Sequence, residues 1–246
     1  MRREVFGVPG GAVRAHLPDL GRYRLVVFDL DGTLYHQGPV RRGMLTELLL
    51  SRPMVGEPDR LQRLSILHQF RRLREEMARD ACIGFDTRLF SRLSDQTGQN
   101  ETILRRLVKD WMEDRPLRRL LAARVAGAPQ LFSGLRAQGT QIAVWSDYPV
   151  EHKLAVLGLK ADHVISALDP DIAALKPAPA GLNRLLERTA IPPSAVLMVG
   201  DRDSHDGAAA RAVNVDFLLR ARKGPAGIPR IKDFRGLAAQ VAQGPA

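Results

Sequence analysis

The chain has 246 residues and a formal net charge of +10, and 45% of its residues are hydrophobic while 26% are charged. This composition excludes an intrinsically disordered chain, and the length suits one sizeable α/β domain with an insertion. The single cysteine, Cys82, excludes an intramolecular disulfide. No apolar run reaches the ~20 residues of a membrane helix, and the first 23 residues lack the apolar core of a signal peptide. We therefore expect a cytoplasmic protein without a membrane partner.

Four short apolar runs predict β-strands, and the last three alternate with segments of helical pattern. Continuous apolar runs fit strands that are covered on both faces, as in a parallel sheet. Alternation of strands and helices predicts right-handed crossovers and a doubly wound α/β core. The runs are RLVVFDL at 24–30, QIAVWSD at 141–147, AVLMVGD at 195–201 and VDFLL at 215–219.

The segment between the first two runs, residues 35–124, has a different pattern. Its long stretches PDRLQRLSILHQFRRLREEMARD and ETILRRLVKDWMED have helical period, and no strand-like run interrupts them. We predict an all-α insertion here, called the helical insertion below. It contains 18 Arg or Lys against 12 Asp or Glu, so it carries six of the ten net positive charges.

This positive charge raises the question of a nucleic-acid partner, because basic surfaces attract phosphates. The basic residues are mainly arginines that alternate with acids, and they form no long basic tail. This arrangement is typical of a solvated arginine-rich surface and does not by itself predict nucleic-acid binding.

Two aspartates, Asp29 and Asp31, close the first run in the motif DLDGT, and Gly32 follows them. Residues two apart in a strand point to the same face, so both carboxylates can act at one site. The glycine permits the tight turn that such a site needs. Strand-end acids that cap neighbouring amides would give the same motif, so the motif alone leaves both interpretations open.

Polar residues also follow the later runs. Ser146 ends the second run, where it can hold an anionic oxygen or cap the next helix. Lys176 precedes Pro177 at the start of a predicted helix, where a lone lysine is commonly a solvated charge. The motif VGDRDSHDG then supplies Asp201, Asp203, His205 and Asp206. The carboxyl ends of parallel strands line one crevice, and carboxylate oxygens from separate strands suit Mg²⁺.

The four motifs DLDGT, VWSD, LKP and VGDRDSHDG stand in the order found in the phosphatase branch of the haloacid dehalogenase superfamily, which this sequence resembles. The resemblance covers residues 23–33 and 125–219. It implies a Rossmann-like core, 1–34 with 125–246, and an inserted helical cap domain, 35–124. Asp147 departs from the pattern, because relatives commonly have asparagine there.

The resemblance also implies roles for the motif residues. Asp29 would be the nucleophile that forms an aspartyl-phosphate, and Asp31 the general acid and then the general base. Ser146 and Lys176 would hold the phosphoryl oxygens. Mg²⁺ would be bound by Asp29, the main-chain carbonyl of Asp31, Asp201 and Asp206. The dehalogenases of the superfamily replace the second aspartate of the first motif, so Asp31 favours phosphoryl chemistry.

We therefore expect a Mg²⁺-dependent phosphatase that acts on a small phosphorylated substrate. One alternative is a phosphomutase or phosphotransferase, which would pass the phosphoryl group to a sugar hydroxyl. Another is a non-catalytic protein that binds nucleic acid or another anion through the helical insertion. The sequence leaves the roles of Asp147, Asp203 and His205 open.

Two groups of residues in the helical insertion permit a functional and a structural interpretation. Arg71, Arg72 and Arg74 could bind a second acidic group of the substrate, or could pair with acids on a solvated helix face. Four aromatic residues could contact a hydrophobic substrate or form the core of the insertion, and they are Phe70, Phe85, Phe90 and Trp111.

Overall fold

A six-stranded parallel sheet forms the centre of the computed structural model, which describes residues 17–53, 57–80 and 82–243. The sequence analysis predicted no signal peptide in the first 23 residues, and most of these residues lie outside the described ranges. The strands are β1 (Leu25–Phe28), β2 (Gln141–Ser146), β3 (His163–Ser166), β4 (Val196–Gly200), β5 (Asp216–Arg220) and β6 (Arg230–Ile231). Their order in the sheet is β3-β2-β1-β4-β5-β6, with every neighbouring pair parallel. The predicted α/β doubly wound class is confirmed.

Both faces of the sheet are covered, as the continuous apolar runs predicted. Val26 and Phe28 of β1 pack into one buried cluster, and Leu25 and Val27 pack into the other. All four residues of this strand are at most 1% exposed. Because β1 is buried at the centre of the sheet, it fixes the position of the DLDGT turn that follows it.

The sequence analysis found β1, β2, β4 and β5 and missed the two edge strands, β3 and β6. An edge strand has one neighbour and is less buried here: β3 has two half-buried residues among its four, and β6 has only two residues, one of them exposed. Neither strand has the continuous apolar run that marks a central parallel strand.

The described residues of the helical insertion contain five α-helices: α1 (Gln37–Leu50), α2 (Arg60–Arg79), α3 (Phe85–Thr97), α4 (Glu101–Val108) and α5 (Leu117–Ala123). A π-helical segment, Lys109–Asp114, continues α4. The described residues of the helical insertion contain isolated bridges but no strand. The remaining helices are α6 (Ala128–Ala137), α7 (Glu151–Leu157), α8 (Ala180–Thr189), α9 (Ala208–Ala212) and α10 (Arg235–Gln243).

Local sequence explains where the insertion's helices begin and end. Asp59 and Gln62 form a capping box at the start of α2, and Asn100 accepts a hydrogen bond at the start of α4. Gly84 and Gly98 bound α3 with a φ of 65° at each, which a residue with a side chain rarely adopts.

The two connections of the helical insertion run side by side. Tyr35 forms an isolated bridge with Arg124, the N–H of Val125 donates to the carbonyl of Leu34 at 3.0 Å, and the N–H of His36 donates to that of Ala123 at 2.8 Å. This pairing lies where the sequence analysis placed the limits of the cap. The division into a core of 1–34 and 125–246 and a cap of 35–124 stays a prediction.

The aromatic residues of the insertion belong to its core. Phe70, Phe85, Phe90 and Trp111 are all at most 5% exposed and lie in the buried cluster. This arrangement supports the structural interpretation for the three phenylalanines, whereas Trp111 also borders the cavity described below. None of the helices in the described ranges has the length and apolar character required to cross a membrane.

Candidate active site

The turn after β1 places both aspartates of DLDGT at the carboxyl edge of the sheet. Asp29 and Asp31 both line one cavity there, as the strand geometry predicted. Gly32 has a φ of 104°, and a Cβ on it would lie 2.0 Å from a carboxylate oxygen of Asp201. A side chain at this position would thus strain the turn and displace Asp201. Thr33 donates a hydrogen bond to Asp29 Oδ2 at 2.8 Å, which orients that carboxylate.

Three carboxylates from separate elements meet beside this turn. Asp29, Asp201 and Asp206 each offer an oxygen, and these oxygens all lie within 4.8 Å of one another. We call these three residues the acid cluster. Lys176 Nζ lies 2.6 Å from Asp29 Oδ1 and 2.7 Å from Asp206 Oδ1, and its side chain is 3% exposed. Lys176 is therefore a buried part of the site and not a solvated loop charge.

Burial and mutual repulsion make two members of the acid cluster, Asp29 and Asp201, hard to ionise. Burial raises the pKa of Asp29 well above its ordinary value; the charge of Lys176 opposes this rise, and Asp206 and Asp201 add to it. Burial, followed by the charge of Asp206, raises the pKa of Asp201 to about 6. Burial would lower the pKa of Lys176, but the charges of Asp206 and Asp29 raise it above its ordinary value.

The acid cluster fits a small divalent cation. Its donors are all carboxylate oxygens, which a hard divalent cation such as Mg²⁺ prefers. Burial and then the charge of Asp206 raise the pKa of Asp201 although Lys176 opposes the rise, and a bound cation would favour the ionised carboxylates. Asp31 is outside the cluster, in keeping with its expected contribution of a main-chain carbonyl.

The surroundings of Asp31 shift its pKa in the direction opposite to the shift at Asp29. Lys153 Nζ contacts both of its carboxylate oxygens, at 2.7 and 2.9 Å. The hydroxyl of Tyr35 donates to Oδ1, and that of Ser146 donates to Oδ2 at 3.0 Å. Burial would raise the pKa of Asp31, but the charge and hydrogen bond of Lys153 and the two hydroxyls hold it below its ordinary value. Neighbouring carboxylates with such different environments suit different chemical roles.

Ser146 and Asp147 hold the segments around the site together. Ser146 is fully buried, and its hydroxyl accepts from the N–H of Tyr148 at 3.1 Å while donating to Asp31. It does not cap α7, which begins five residues later. Asp147 Oδ1 accepts from the main-chain N–H of Lys176 at 3.1 Å, and the carbonyl of Asp147 accepts from Arg74. Asp147 thus fixes the LKP segment beside the acid cluster.

Two residues of the site were not found in the sequence analysis. Lys153 lies in α7 within the segment EHKLAVLGL. A lysine in such a helical segment is ordinarily expected to point into solvent, yet Lys153 is only 4% exposed. Tyr35 directly follows the first motif, and no feature of the sequence distinguished it from an ordinary buried tyrosine. Both residues contact Asp31, which lies far from Lys153 in the chain.

The remaining polar residues of VGDRDSHDG differ in position. Asp203 accepts from Arg211 at 2.7 Å on the surface and does not border the cavity. His205 borders the cavity, and its Nε2 lies 3.3 Å from Glu75 of the helical insertion. His205 therefore contributes to the contact between the insertion and the strand ends.

A cavity of about 280 Å³ lies between the strand ends and the helical insertion. This volume is at the small end of ligand pockets, which commonly measure ~300–1,000 Å³. Glu75 of α2 accepts two hydrogen bonds from Arg202, at 2.8 and 3.0 Å, across the boundary between the two regions. Arg74 of the same helix contacts Asp147. The insertion thus covers the carboxyl edge of the sheet.

Comparisons with known proteins agree with this geometry. No curated protein matches the sequence. Among solved structures, the chain is similar to a 2-haloacid dehalogenase from Pseudomonas syringae pv. Tomato DC3000, at 21% identity and a TM-score of 0.58, over 90% of this chain and 99% of that one.

Two further structures are similar in fold. The HAD-hydrolase YfnB from Bacillus subtilis, bound to magnesium, has 18% identity and a TM-score of 0.61, over 89% of this chain and 99% of that one. A HAD phosphatase from Thermococcus onnurineus has 20% identity and a TM-score of 0.54, over 90% and 98% of the two chains. The family model for haloacid dehalogenase-like hydrolases matches residues 23–214, most of the chain. The chain belongs to the haloacid dehalogenase-like hydrolase family.

Proposed function

We propose that this hydrolase is a Mg²⁺-dependent phosphatase that cleaves a small phosphomonoester through an aspartyl-phosphate on Asp29. The observation that carries the proposal is the contrast between the two carboxylates of one turn. Asp29 lies with Lys176 in the acid cluster, whereas Asp31 is held apart from that cluster by Lys153, Tyr35 and Ser146. A reaction in which one carboxylate attacks and the other exchanges protons needs this separation.

The presence of Asp31 favours a phosphoryl substrate over a haloacid. An alkoxide leaving group needs a proton, and a second carboxylate at the site can deliver it. A halide leaves without a proton, so cleavage of a carbon–halogen bond has no need for Asp31. The similar structures include a dehalogenase and a phosphatase, so the preference for a phosphoryl substrate rests on the residues of the site alone.

In the proposed reaction, an oxygen of Asp29 attacks phosphorus, the bond from phosphorus to the alcohol oxygen breaks, and Asp31 gives that oxygen its proton. Asp31 then takes a proton from water, which attacks the aspartyl-phosphate and releases inorganic phosphate and free Asp29. The lowered pKa of Asp31 suits the second half, in which it acts as a base. Lys176 and Ser146 neutralise and orient the phosphoryl oxygens.

Mg²⁺, when bound, supplies positive charge beside the phosphoryl oxygens. The residues that would hold it are Asp29, Asp201 and Asp206 by their carboxylates and Asp31 by its main-chain carbonyl. The helical insertion would act as a cap that keeps bulk water from the cavity.

The test is phosphate release from a panel of phosphomonoesters by the wild type, with Mg²⁺ and with excess chelator. We expect Mg²⁺-dependent release that falls by more than about 1,000-fold in Asp29→Asn. Asp203→Asn is the matched control, because it makes the same chemical change outside the cavity and should keep wild-type turnover. Circular dichroism and thermal unfolding establish that both variants fold.

Other products would overturn the proposal. Chloride release from L-2-chloropropionate without phosphate release would assign a dehalogenase. Isomerisation of a sugar phosphate without free phosphate would assign a phosphomutase. Full phosphatase activity in Asp29→Asn would refute the covalent mechanism.

A further inference from the structure

Two arginines of the helical insertion border the cavity and have no acidic partner in the described part of the chain. Arg41 of α1 and Arg71 of α2 both border it, and both are exposed residues. Arg71 Nη2 donates to Met112 Sδ at 3.4 Å, a weak contact that leaves its charge unbalanced. Within the described ranges, Arg41 forms no hydrogen bond or ion pair. We call Arg41 and Arg71 the arginine pair.

Other arginines of the insertion behave differently. Arg72, next to Arg71, forms an ion pair with Glu76, and Arg74 donates to the carbonyl of Asp147 and lies against the ring of Tyr148. Arg105, Arg115 and Arg119 form ion pairs with Asp86, Glu101, Glu47 and Asp110. What distinguishes the arginine pair is its position. Of the described arginines that border the cavity, Arg74 and Arg202 donate to oxygens of the protein, whereas Arg41 and Arg71 do not.

Four of the six acids that border the cavity have a basic partner other than the arginine pair. Asp31 contacts Lys153, and Asp29 and Asp206 contact Lys176. Glu75 accepts from Arg202. The other two acids, Asp147 and Asp201, form no ion pair with Arg41 or Arg71, so the arginine pair has no ion-pair partner among the described residues of the cavity wall.

The two guanidinium groups also repel each other. Burial lowers the pKa of Arg71, and the charge of Arg41 lowers it further, while Tyr148 opposes the shift. Like charges beside one cavity disfavour each other, and an anion bound between them would relieve this repulsion. Arginine is well suited to such an anion, because its planar fork can donate two hydrogen bonds to a carboxylate or phosphate.

We infer that the substrate carries a second anionic group, a carboxylate or a second phosphate, which the arginine pair binds while the strand ends hold the reacting phosphoryl group. The inference rests on the proposed function and names its substrate class. The cavity volume of about 280 Å³ restricts this class to small molecules. Selectivity then comes from the helical insertion, and the chemistry comes from the strand ends.

The first experiment compares matched phosphomonoesters that differ in one anionic group. For a carboxylate, the pair is 3-phosphoglycerate and glycerol 3-phosphate; for a second phosphate, it is propane-1,3-diyl bisphosphate and propyl phosphate. We expect kcat/KM to be about ten-fold or more higher for the doubly anionic member of at least one pair, as a charge-assisted hydrogen bond permits. The pair that shows the preference identifies the kind of second anion.

The second experiment removes one charge of the arginine pair. In Arg71→Gln, the preference for the doubly anionic member should fall by about ten-fold, through KM more than kcat. Arg71→Lys should restore part of it, because the charge returns without the planar fork. Arg72→Gln is the matched control on the same helix and should keep the wild-type preference. A wild type without any preference, or an equal loss on both members in Arg71→Gln, would overturn the inference.

A binding measurement separates this inference from the proposed function. Calorimetry with Asp29→Asn compares 3-phosphoglycerate with glycerol 3-phosphate and the bisphosphate with propyl phosphate. Tighter binding of a doubly anionic member, lost in Asp29→Asn/Arg71→Gln, supports the arginine pair even if the wild type releases no phosphate. Equal binding of both members overturns it, even if p-nitrophenyl phosphate is hydrolysed.

Discussion

The strand ends and the helical insertion both contain many charges, but they balance them in different ways. At the strand ends, two buried lysines, Lys153 and Lys176, each contact the carboxylates that face them. In the insertion, arginines outnumber acids, and Arg41 and Arg71 face the cavity without a described partner. This difference indicates that the residues at the strand ends are preorganised for one reaction, whereas the insertion has positive charge that is available to bind a ligand.

The largest effect that would sharpen this comparison concerns Lys153. Lys153→Met removes both hydrogen bonds from its ammonium to Asp31, so we expect turnover of alkyl phosphates to fall by about 10- to 100-fold. Turnover of p-nitrophenyl phosphate should fall less, because its leaving group needs no proton. Lys153→Arg should restore part of the loss.

The measurement is the ratio of kcat on alkyl phosphates to kcat on p-nitrophenyl phosphate. Lys160→Met, at an exposed position after α7, is the control and should leave this ratio unchanged. An equal loss on both substrates in Lys153→Met would mean that Lys153 only supports the fold.

Lys153 also shows what the sequence could not reveal. Its partner Asp31 is 122 residues away in the chain, and the periodicity of α7 does not indicate which distant carboxylate a buried lysine will meet. Asp29, Ser146 and Asp201 could be found because each stands at the end of a strand-like run, whereas Lys176 and Asp206 were found through the motifs LKP and VGDRDSHDG. Parallel strands bring such ends together whatever their separation in the chain.

Three of the four arginines of FRRLREEMARD, namely Arg71, Arg72 and Arg74, illustrate a second limit. Helical period separates Arg72 from Arg71 and Arg74, but it does not indicate which face meets the sheet. In the structure, Arg72 pairs with Glu76, Arg74 is buried, and Arg71 borders the cavity. The structural interpretation therefore holds for Arg72, whereas the binding interpretation stays a prediction, now restricted to Arg71.

A smaller effect concerns the free energy of unfolding that the metal-free protein loses when Asp201 of the acid cluster ionises. The pKa of Asp201 is about 6 in the folded protein and about 3.9 in an unfolded chain, so the folded state holds more protons between these values. The metal-free protein should therefore lose stability as pH rises from about 4 to 6. We expect Asp201→Asn to avoid a penalty of roughly 3 kcal/mol at about pH 7.5.

Thermal unfolding at several pH values checks this expectation. Mg²⁺ should stabilise the wild type at about pH 7.5 and have little effect at about pH 5, because metal binding requires ionised carboxylates. In Asp201→Asn the ion should have little effect at either pH. If Asp201→Asn destabilised the metal-free protein at neutral pH, the acid cluster would be a structural ion-pair network and the contrast between the two regions would fail.

The smallest effect concerns the exposed ion pairs of the helical insertion. Arg72 and Glu76 lie 3.5 Å apart with side chains that are 57% and 34% exposed. Solvent screens such a pair, so Arg72→Gln should change the free energy of unfolding by less than about 0.5 kcal/mol in denaturant titration. Buried apolar residues such as Leu89 and Leu93 must then stabilise the insertion, and its surface charge is free to serve binding. A loss of several kcal/mol would instead mean that the insertion's arginines are needed for its fold, and the unpaired state of Arg41 and Arg71 would lose its contrast.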